Sequence, residues 1–194
     1  MDYLIQQARS DYEPMLALTR QRHADYAKRH NLAYIAHAGA MLSDWTGHWD
    51  MIPLLLYVLR RPDTGIVLWV DADALIVGDG DPRSILSGHN VGMSRHPGPP
   101  EHYNCGVMIV RACREVVEWL ETVLAEGPGK YPWYQQDLMN AHIGMVGAVK
   151  ILPHEWNSTV ILRHPERCII RAWHGYPGGV SERVRQMSIA IDRI

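Results

Sequence analysis

Asp71 and Asp73 stand at the end of an apolar run, Ile66-Val67-Leu68-Trp69-Val70. The run has the β-branched and aromatic content of a buried strand. An unpaired carboxylate in such surroundings costs several kcal/mol, so the strand is expected to end here, with the aspartates meeting a cation. The carboxyl ends of parallel strands are where α/β sheets bind ligands. Strand alternation would put both carboxylates on one side and Ala72 on the other. Oxygen donors suit Mg²⁺ or Mn²⁺, and such ions hold diphosphates. A plain strand-end turn is the competing reading. A second Asp-x-Asp, Asp79-Gly80-Asp81, lies in a Gly/Pro-rich stretch and reads as a polar turn.

Three further segments carry usable groups. Asn104-Cys105-Gly106 precedes the apolar run Val107 to Val110. Asn104 could bond a hydroxylated ligand, and Gly106 would admit a ligand close to the backbone; a turn-forming Asn-x-Gly is the alternative. Gln136-Asp137 opens a short helix, where Asp137 either favours the positive helix end or faces a developing positive charge on a substrate. His174-Gly175 follows a late apolar strand, and His174 is the best third ligand for the aspartates in the second half of the chain. His89, His96 and His102 fall in a Gly/Pro-rich stretch that reads as a mobile loop over the site.

The elements that must position these groups alternate. Asp2 to Gln7 reads as a strand. Ser10 or Asp11 is placed to cap a helix running to His30, with Pro14 in its first turn. Leu32 to Ala36 is a second strand, Trp45 to Arg61 a second helix stopped by Pro62, and Ile66 to Val70 the third strand. Asn90 to Ser94 and Gly106 to Val110 follow as strands. Ala112 to Glu126 is an amphipathic helix with Val116, Val117, Leu120, Val123 and Leu124 inward. Tyr134 to Ile143 reads as a short helix, Val146 to Leu152 and Cys168 to Trp173 as strands, and Gly178 to Ile191 as a last helix. The β-α-β-α-β opening predicts an α/β fold with a mainly parallel sheet. With 194 residues and no repeat or linker, we expect a single domain over 1–194.

Composition narrows the function. A net charge of −2 supplies no basic field for nucleic acid. Met51 to Leu59 is too short an apolar run to span a bilayer. The N-terminus lacks a basic segment followed by a long apolar one, and the 3 cysteines, Cys105, Cys113 and Cys168, have no zinc spacing. Free thiols and a cytoplasmic location are therefore expected.

Taken in order, the segments Trp69-Val70-Asp71-Ala72-Asp73, Asn104-Cys105-Gly106-Val107, Gln136-Asp137, Trp156-Asn157-Ser158 and His174-Gly175 resemble a known pattern. It is that of GT-A fold glycosyltransferases, the retaining galactosyl-, mannosyl- and xylosyltransferase families and the related glycogenin-like and lipopolysaccharide galactosyltransferases. Tyr26-Ala27-x-x-His30 also resembles the segment after their first helix. The resemblance covers roughly Tyr3 to Tyr176. It implies a GT-A (Rossmann-like) mixed, mainly parallel sheet flanked by helices. It implies transfer of a sugar from a nucleotide-sugar donor, a UDP- or GDP-sugar, to a hydroxylated acceptor, with retention. Asp71, Asp73 and His174 would hold Mn²⁺ or Mg²⁺. Gln7, Ala8 and Arg9 would face the base, and Asp71 and Ala72 the donor. Asn104 and Gly106 would line the sugar pocket, Gly175 would belong to the donor site, and Gln136 and Asp137 would act on the sugar. The chain departs from these families in two places. An acid stands in Trp49-Asp50-Met51 where they often carry a Lys, and the Lys near the late His-x-Gly is missing. Arg171 and the C-terminal arginines are the available substitutes.

Two rival functions remain at this level. A nucleotidyltransferase acting on sugar phosphates would need a Gly-rich basic loop, whereas Gln6 to Tyr12 holds no Gly and a single Arg. A non-catalytic nucleotide-sugar-binding module would keep the same pocket.

Overall fold

The computed structural model describes residues 1–96, 102–129, 135–159 and 167–194. Strand β1 (Asp2–Ala8) passes through a 3₁₀ turn into helix α1 (Glu13–Arg29) and returns as β2 (Leu32–Ala38), parallel to β1. Helix α2 (Met51–Leu59) leads to β3 (Ile66–Val70), parallel to β1 on its other side. The chain leaves the main sheet through β4 (Ala74–Ile76) and α3 (Pro82–Leu86), then returns as β5 (Val91–Arg95) and β6 (Tyr103–Arg111). Helices α4 (Arg114–Glu126) and α5 (Gln135–Ala141) precede β7 (Val149–Ile151), β8 (Ser158–Thr159), β9 (Ile170–Ala172) and the closing helix α6 (Gly179–Ile191).

The main sheet has the order β2-β1-β3-β6-β5-β7. β6 is antiparallel to both its neighbours, and the other pairings are parallel. The expected mixed, mainly parallel sheet is thus present. β3 is buried along its whole length. Its alternation feeds two layers: Val67 and Trp69 pack with α2, α4 and α5, while Ile66, Leu68 and Val70 pack with Tyr26 and Ala27 of α1. A second sheet, β4-β9-β8, lies beyond the end of β3. There Leu75 meets Met15 and Leu16 of α1 and Met187 of α6.

Several local expectations are corrected. Neither Ser10 nor Asp11 caps α1 with its side chain; they form the 3₁₀ turn, and the Glu13 carboxylate accepts the Ser10 N–H instead. The stretch from Trp45 to Arg61 is not one helix. Gly47–Asp50 is a 3₁₀ turn before α2 because the Asp50 carboxylate turns away to take the Met41 and Leu42 amides. Pro53 sits in the first turn of α2, where no amide donor is needed. Tyr26 lies within the last turn of α1 and His30 caps it, so the helix ends where expected. Tyr134 lies outside the described residues, and α5 begins at Gln135. Val146 belongs to a 3₁₀ turn, which shortens the strand expected from there to Leu152. The amphipathic pattern of α4 holds, with Trp119 as an additional buried side chain. Asp79-Gly80-Asp81 is the polar turn expected: Asp81 caps α3 by accepting the Arg83 N–H, and Asp79 faces Arg29 and His30 at the surface.

Candidate active site

Asp71, Ala72 and Asp73 form the turn between β3 and β4, closed by the Ala74 N–H donating to the Asp71 carbonyl at 3.0 Å. This corrects the alternation expected for them. The chain changes sheets here, so Ala72 lines the same wall as both aspartates. The pair lies at the carboxyl end of a strand parallel to β1, as expected. Behind the turn is a buried polar knot. The Gln6 amide donates to the Asp71 carbonyl at 3.3 Å, while the Gln6 Oε1 accepts from Tyr34 at 2.8 Å and faces His23 Nδ1 at 2.6 Å. His23 Nε2 accepts the Ile76 N–H at 2.9 Å, which leaves the ring proton on Nδ1 for Gln6.

The turn opens onto a cavity of about 710 Å³. Trp69 Nε1 donates to Asp71 Oδ1 at 2.8 Å. Burial and the neighbouring Asp73 charge nevertheless hold the Asp71 carboxyl well above the usual carboxylate range. Asp73 is buried, and its Oδ2 accepts from Arg183 Nη1 of α6 at 2.9 Å. The Trp173 N–H donates to the Asp73 carbonyl at 2.8 Å and brings His174 to the pair. His174 Nδ1 is buried with no hydrogen-bond partner, and burial holds the imidazole below its ordinary pKa although Asp73 opposes that. Paired carboxylates beside a neutral imidazole with an orphaned nitrogen are a donor set that fits Mn²⁺ or Mg²⁺. Among the described residues no group of three acidic, His or Cys side chains is already drawn together around a metal position. The Asp73–Arg183 ion pair holds one of the carboxylates elsewhere.

Asn104 is in β6 rather than before it. The pairing of β5 jumps from Met93–Met108 to Ser94–Asn104, so Cys105, Gly106 and Val107 bulge. Asn104 Oδ1 accepts the Gly106 N–H and the Asn157 amide, each at 2.9 Å. The Asn-x-Gly hydrogen bond thus closes within the bulge rather than in a turn before the strand, and Asn104, Cys105 and Gly106 line the cavity. Helix α5 covers the backbone that the bulge exposes. Gln136 Oε1 accepts the Cys105 N–H at 2.9 Å, and Asn140 bonds both the N–H and the carbonyl of Tyr103. Gln136 reaches the cavity. Asp137 is not among the described lining residues, and its Oδ1 lies 3.6 Å from His102 Nε2.

Gln7, Ala8 and Arg9 line the cavity, with Gln7 and Ala8 still inside β1. Their polar ends are engaged within the protein. Gln7 bonds the Gly39 carbonyl and Asp50, and Arg9 bonds the Leu42 and Trp45 carbonyls beside Asp50. Gly175, with a φ of +70°, lies next to His174 on the same wall. His96 lines the cavity and His102 contacts Gln136, but His89 belongs to the turn after α3, and 97–101 lie outside the described residues. Sequence reading did not single out Arg183, His48 or Gln6, and it met Asp50 only as an acid where a Lys is often found. Arg183 was covered only by the C-terminal arginines as a group, and Arg171, in β9, is not part of the described wall. Cys105, Cys113 and Cys168 are free, and no described helix is long and apolar enough to cross a membrane.

This sheet order, with one reversed strand and an Asp-x-Asp turn leading into a small second sheet, is the GT-A fold of glycosyltransferases. No protein-family model and no curated protein sequence matches the chain. Among solved structures it is similar to a glycosyltransferase involved in the glycosylation of the major capsid of PBCV-1. That match has 15% identity and a TM-score of 0.74, covering 97% of this chain and 98% of that one. It is also similar to the galactosyltransferase LgtC in complex with donor and acceptor sugar analogs, at 13% identity and a TM-score of 0.58 over 98% of this chain and 96% of the other. Mouse xyloside xylosyltransferase 1 matches at 14% identity and a TM-score of 0.54 over 90% and 98% of the two chains.

Proposed function

We propose that this chain is a glycosyltransferase that moves a sugar from a UDP- or GDP-sugar to a hydroxylated acceptor, with Mn²⁺ or Mg²⁺ and with retention of anomeric configuration. The observation that carries this is the cavity at the carboxyl ends of β1 and β3, walled by Asp71, Asp73, His174 and Arg183, in a GT-A fold. Asp71, Asp73 and His174 would hold the cation. Bound there, it would supply Lewis-acid neutralisation of a departing nucleoside diphosphate.

The remaining work falls to side chains already in place. The Asn104 turn and Gly106 shape the wall beside Asp71. Gln136, fixed by the Cys105 N–H, would present its amide on the sugar side, and Asp137, next in the chain, would supply negative charge for an oxocarbenium-like carbon. The retaining outcome and the role of Asp137 rest on the likeness of the Gln-Asp segment to the retaining families. A thermal-shift screen of nucleotide sugars with Mn²⁺ tests donor binding, since a ligand at 100 times its Kd stabilises by about 2.7 kcal/mol. NMR of the first-formed product then reads the anomeric outcome. A β-linked product from an α-linked donor would reassign Asp137 as a general base. Binding without transfer or hydrolysis would leave a nucleotide-sugar-binding module.

A further inference from the structure

The described wall of the cavity carries a cation of its own beside the aspartates. Arg183 Nη1 lies 2.9 Å from Asp73 Oδ2, with side-chain exposures of 17% and 7%. The guanidinium bonds Asp73 through one nitrogen, while its Nε is buried without a hydrogen-bond partner. The pair is therefore charge-matched but incompletely bonded. Asp73 is the carboxylate that a divalent cation would need, and two positive groups cannot share it closely without repulsion. Arg183 sits on α6, which is anchored to α1 by Met187 and Ala190. Its long side chain can swing within the cavity without moving the helix. A guanidinium that leaves a carboxylate is well matched to a diphosphate, because its planar fork bonds phosphate oxygens in pairs.

We propose that Arg183 is an internal counter-ion that a divalent cation displaces from Asp73, and that the freed guanidinium then takes the diphosphate of the nucleotide, so that cation and nucleotide bind as a coupled pair. This rests on reading the cavity as a metal-assisted donor site. The cation alone must break the Arg183 pair with nothing to receive the guanidinium. With a diphosphate present, the guanidinium has a partner. Each ligand therefore raises the affinity of the other by the same factor.

The test is direct binding to the full chain. Mn²⁺ alone is titrated by electron paramagnetic resonance, then UDP and GDP are titrated calorimetrically at saturating Mn²⁺, for the parent and Arg183→Gln. We expect Arg183→Gln to bind Mn²⁺ alone about tenfold more tightly and the nucleoside diphosphate about tenfold more weakly, on the order of one charge-assisted hydrogen bond. Arg183→Lys, which keeps the charge, should bind Mn²⁺ alone as the parent does. If the parent binds UDP or GDP with Mn²⁺ but Arg183→Gln binds Mn²⁺ alone no more tightly, the counter-ion role is overturned and the donor-site reading stands. If the parent binds neither Mn²⁺ nor a nucleoside diphosphate, the donor-site reading falls and takes this proposal with it. Should Arg183→Gln fail to fold, the parent still decides: equal Mn²⁺ affinity with and without UDP or GDP overturns the coupling.

Discussion

Gly106 and Asp71 fit together as a single piece. A Cβ on Gly106 would lie 3.1 Å from Asp71 Oδ2 and 3.0 Å from Asn104 Oδ1, and the Asp71 N–H donates to the Gly106 carbonyl at 2.8 Å. The space without a side chain at Gly106 is used by the protein's own carboxylate and amide.

Gly106→Ala should therefore move the Asp71 carboxylate or the Asn104 turn. Both groups are already bonded, Asp71 to Trp69 and Asn104 to Asn157, so neither gives way freely. We expect about 1–3 kcal/mol of lost stability and a larger proportional loss of Mn²⁺-dependent UDP or GDP binding. Thermal melts and calorimetry measure the two. Unchanged nucleotide binding would show that the carboxylate has room to shift.

Asp73→Asn should abolish Mn²⁺-dependent binding while the chain stays folded, since relief of the repulsion with Asp71 offsets part of the loss of the Arg183 ion pair. Asp79→Asn is the matched control. Its carboxylate is at the surface with Arg29 and His30, so the change should stay within about 0.5 kcal/mol and leave binding intact. Equal effects from the two substitutions would remove Asp73 from the site.

Asp137→Asn should lower turnover with nearly unchanged nucleoside diphosphate affinity, as expected of a group that acts mainly in the transition state. Gln136→Ala should behave differently. It strips the buried Cys105 N–H of its acceptor, costing roughly 1–3 kcal/mol of stability. A parallel loss of diphosphate binding in Asp137→Asn would place Asp137 on the nucleotide rather than the sugar.

His23 supplies a pH dependence of folding. Burial, aided by Arg22, lowers its pKa from 6.5 to about 3. In the unfolded chain the ring protonates near pH 6.5, while in the fold it stays neutral to accept the Ile76 N–H. The contribution is therefore fully present above about pH 6.5 and is lost progressively as pH falls toward 3. At pH 5 the loss is up to about 2 kcal/mol. Denaturant unfolding at pH 7 and pH 5 should show it, and the difference should shrink in His23→Gln. An undiminished difference in that variant would assign the pH effect to other groups.

The parts legible in the chain are those in which signal and structure are neighbours. Ile66 to Val70 is apolar and β-branched, and the polar residues that follow mark its end, so the place of Asp71 and Asp73 at a strand terminus was readable from local contrast alone. The β-α-β-α-β opening was readable for the same reason. Less clear were elements whose local pattern is short or double-valued. β4 has three residues, and its apolar sequence continues that of β3, so the switch between sheets at Asp71 to Ala74 looked like simple alternation.

What the amino-acid sequence determined by itself is the longer strands and helices, together with the carboxylate pair, because periodicity and solvent contrast act over a few residues. The tertiary structure alone decided which charges meet. Arg183 reaches Asp73 across 110 residues because α6 packs on α1 through Met187 and Ala190. Asp50, an acid in an unexpected place, became the buried anchor of Gln7, Arg9 and the Met41–Leu42 amides. Gln6, in the middle of an apolar strand, became the support of the Asp71 turn. No local pattern encodes such pairings. A buried polar group needs a partner, and its partner is whichever group the packing of distant elements brings within hydrogen-bond reach.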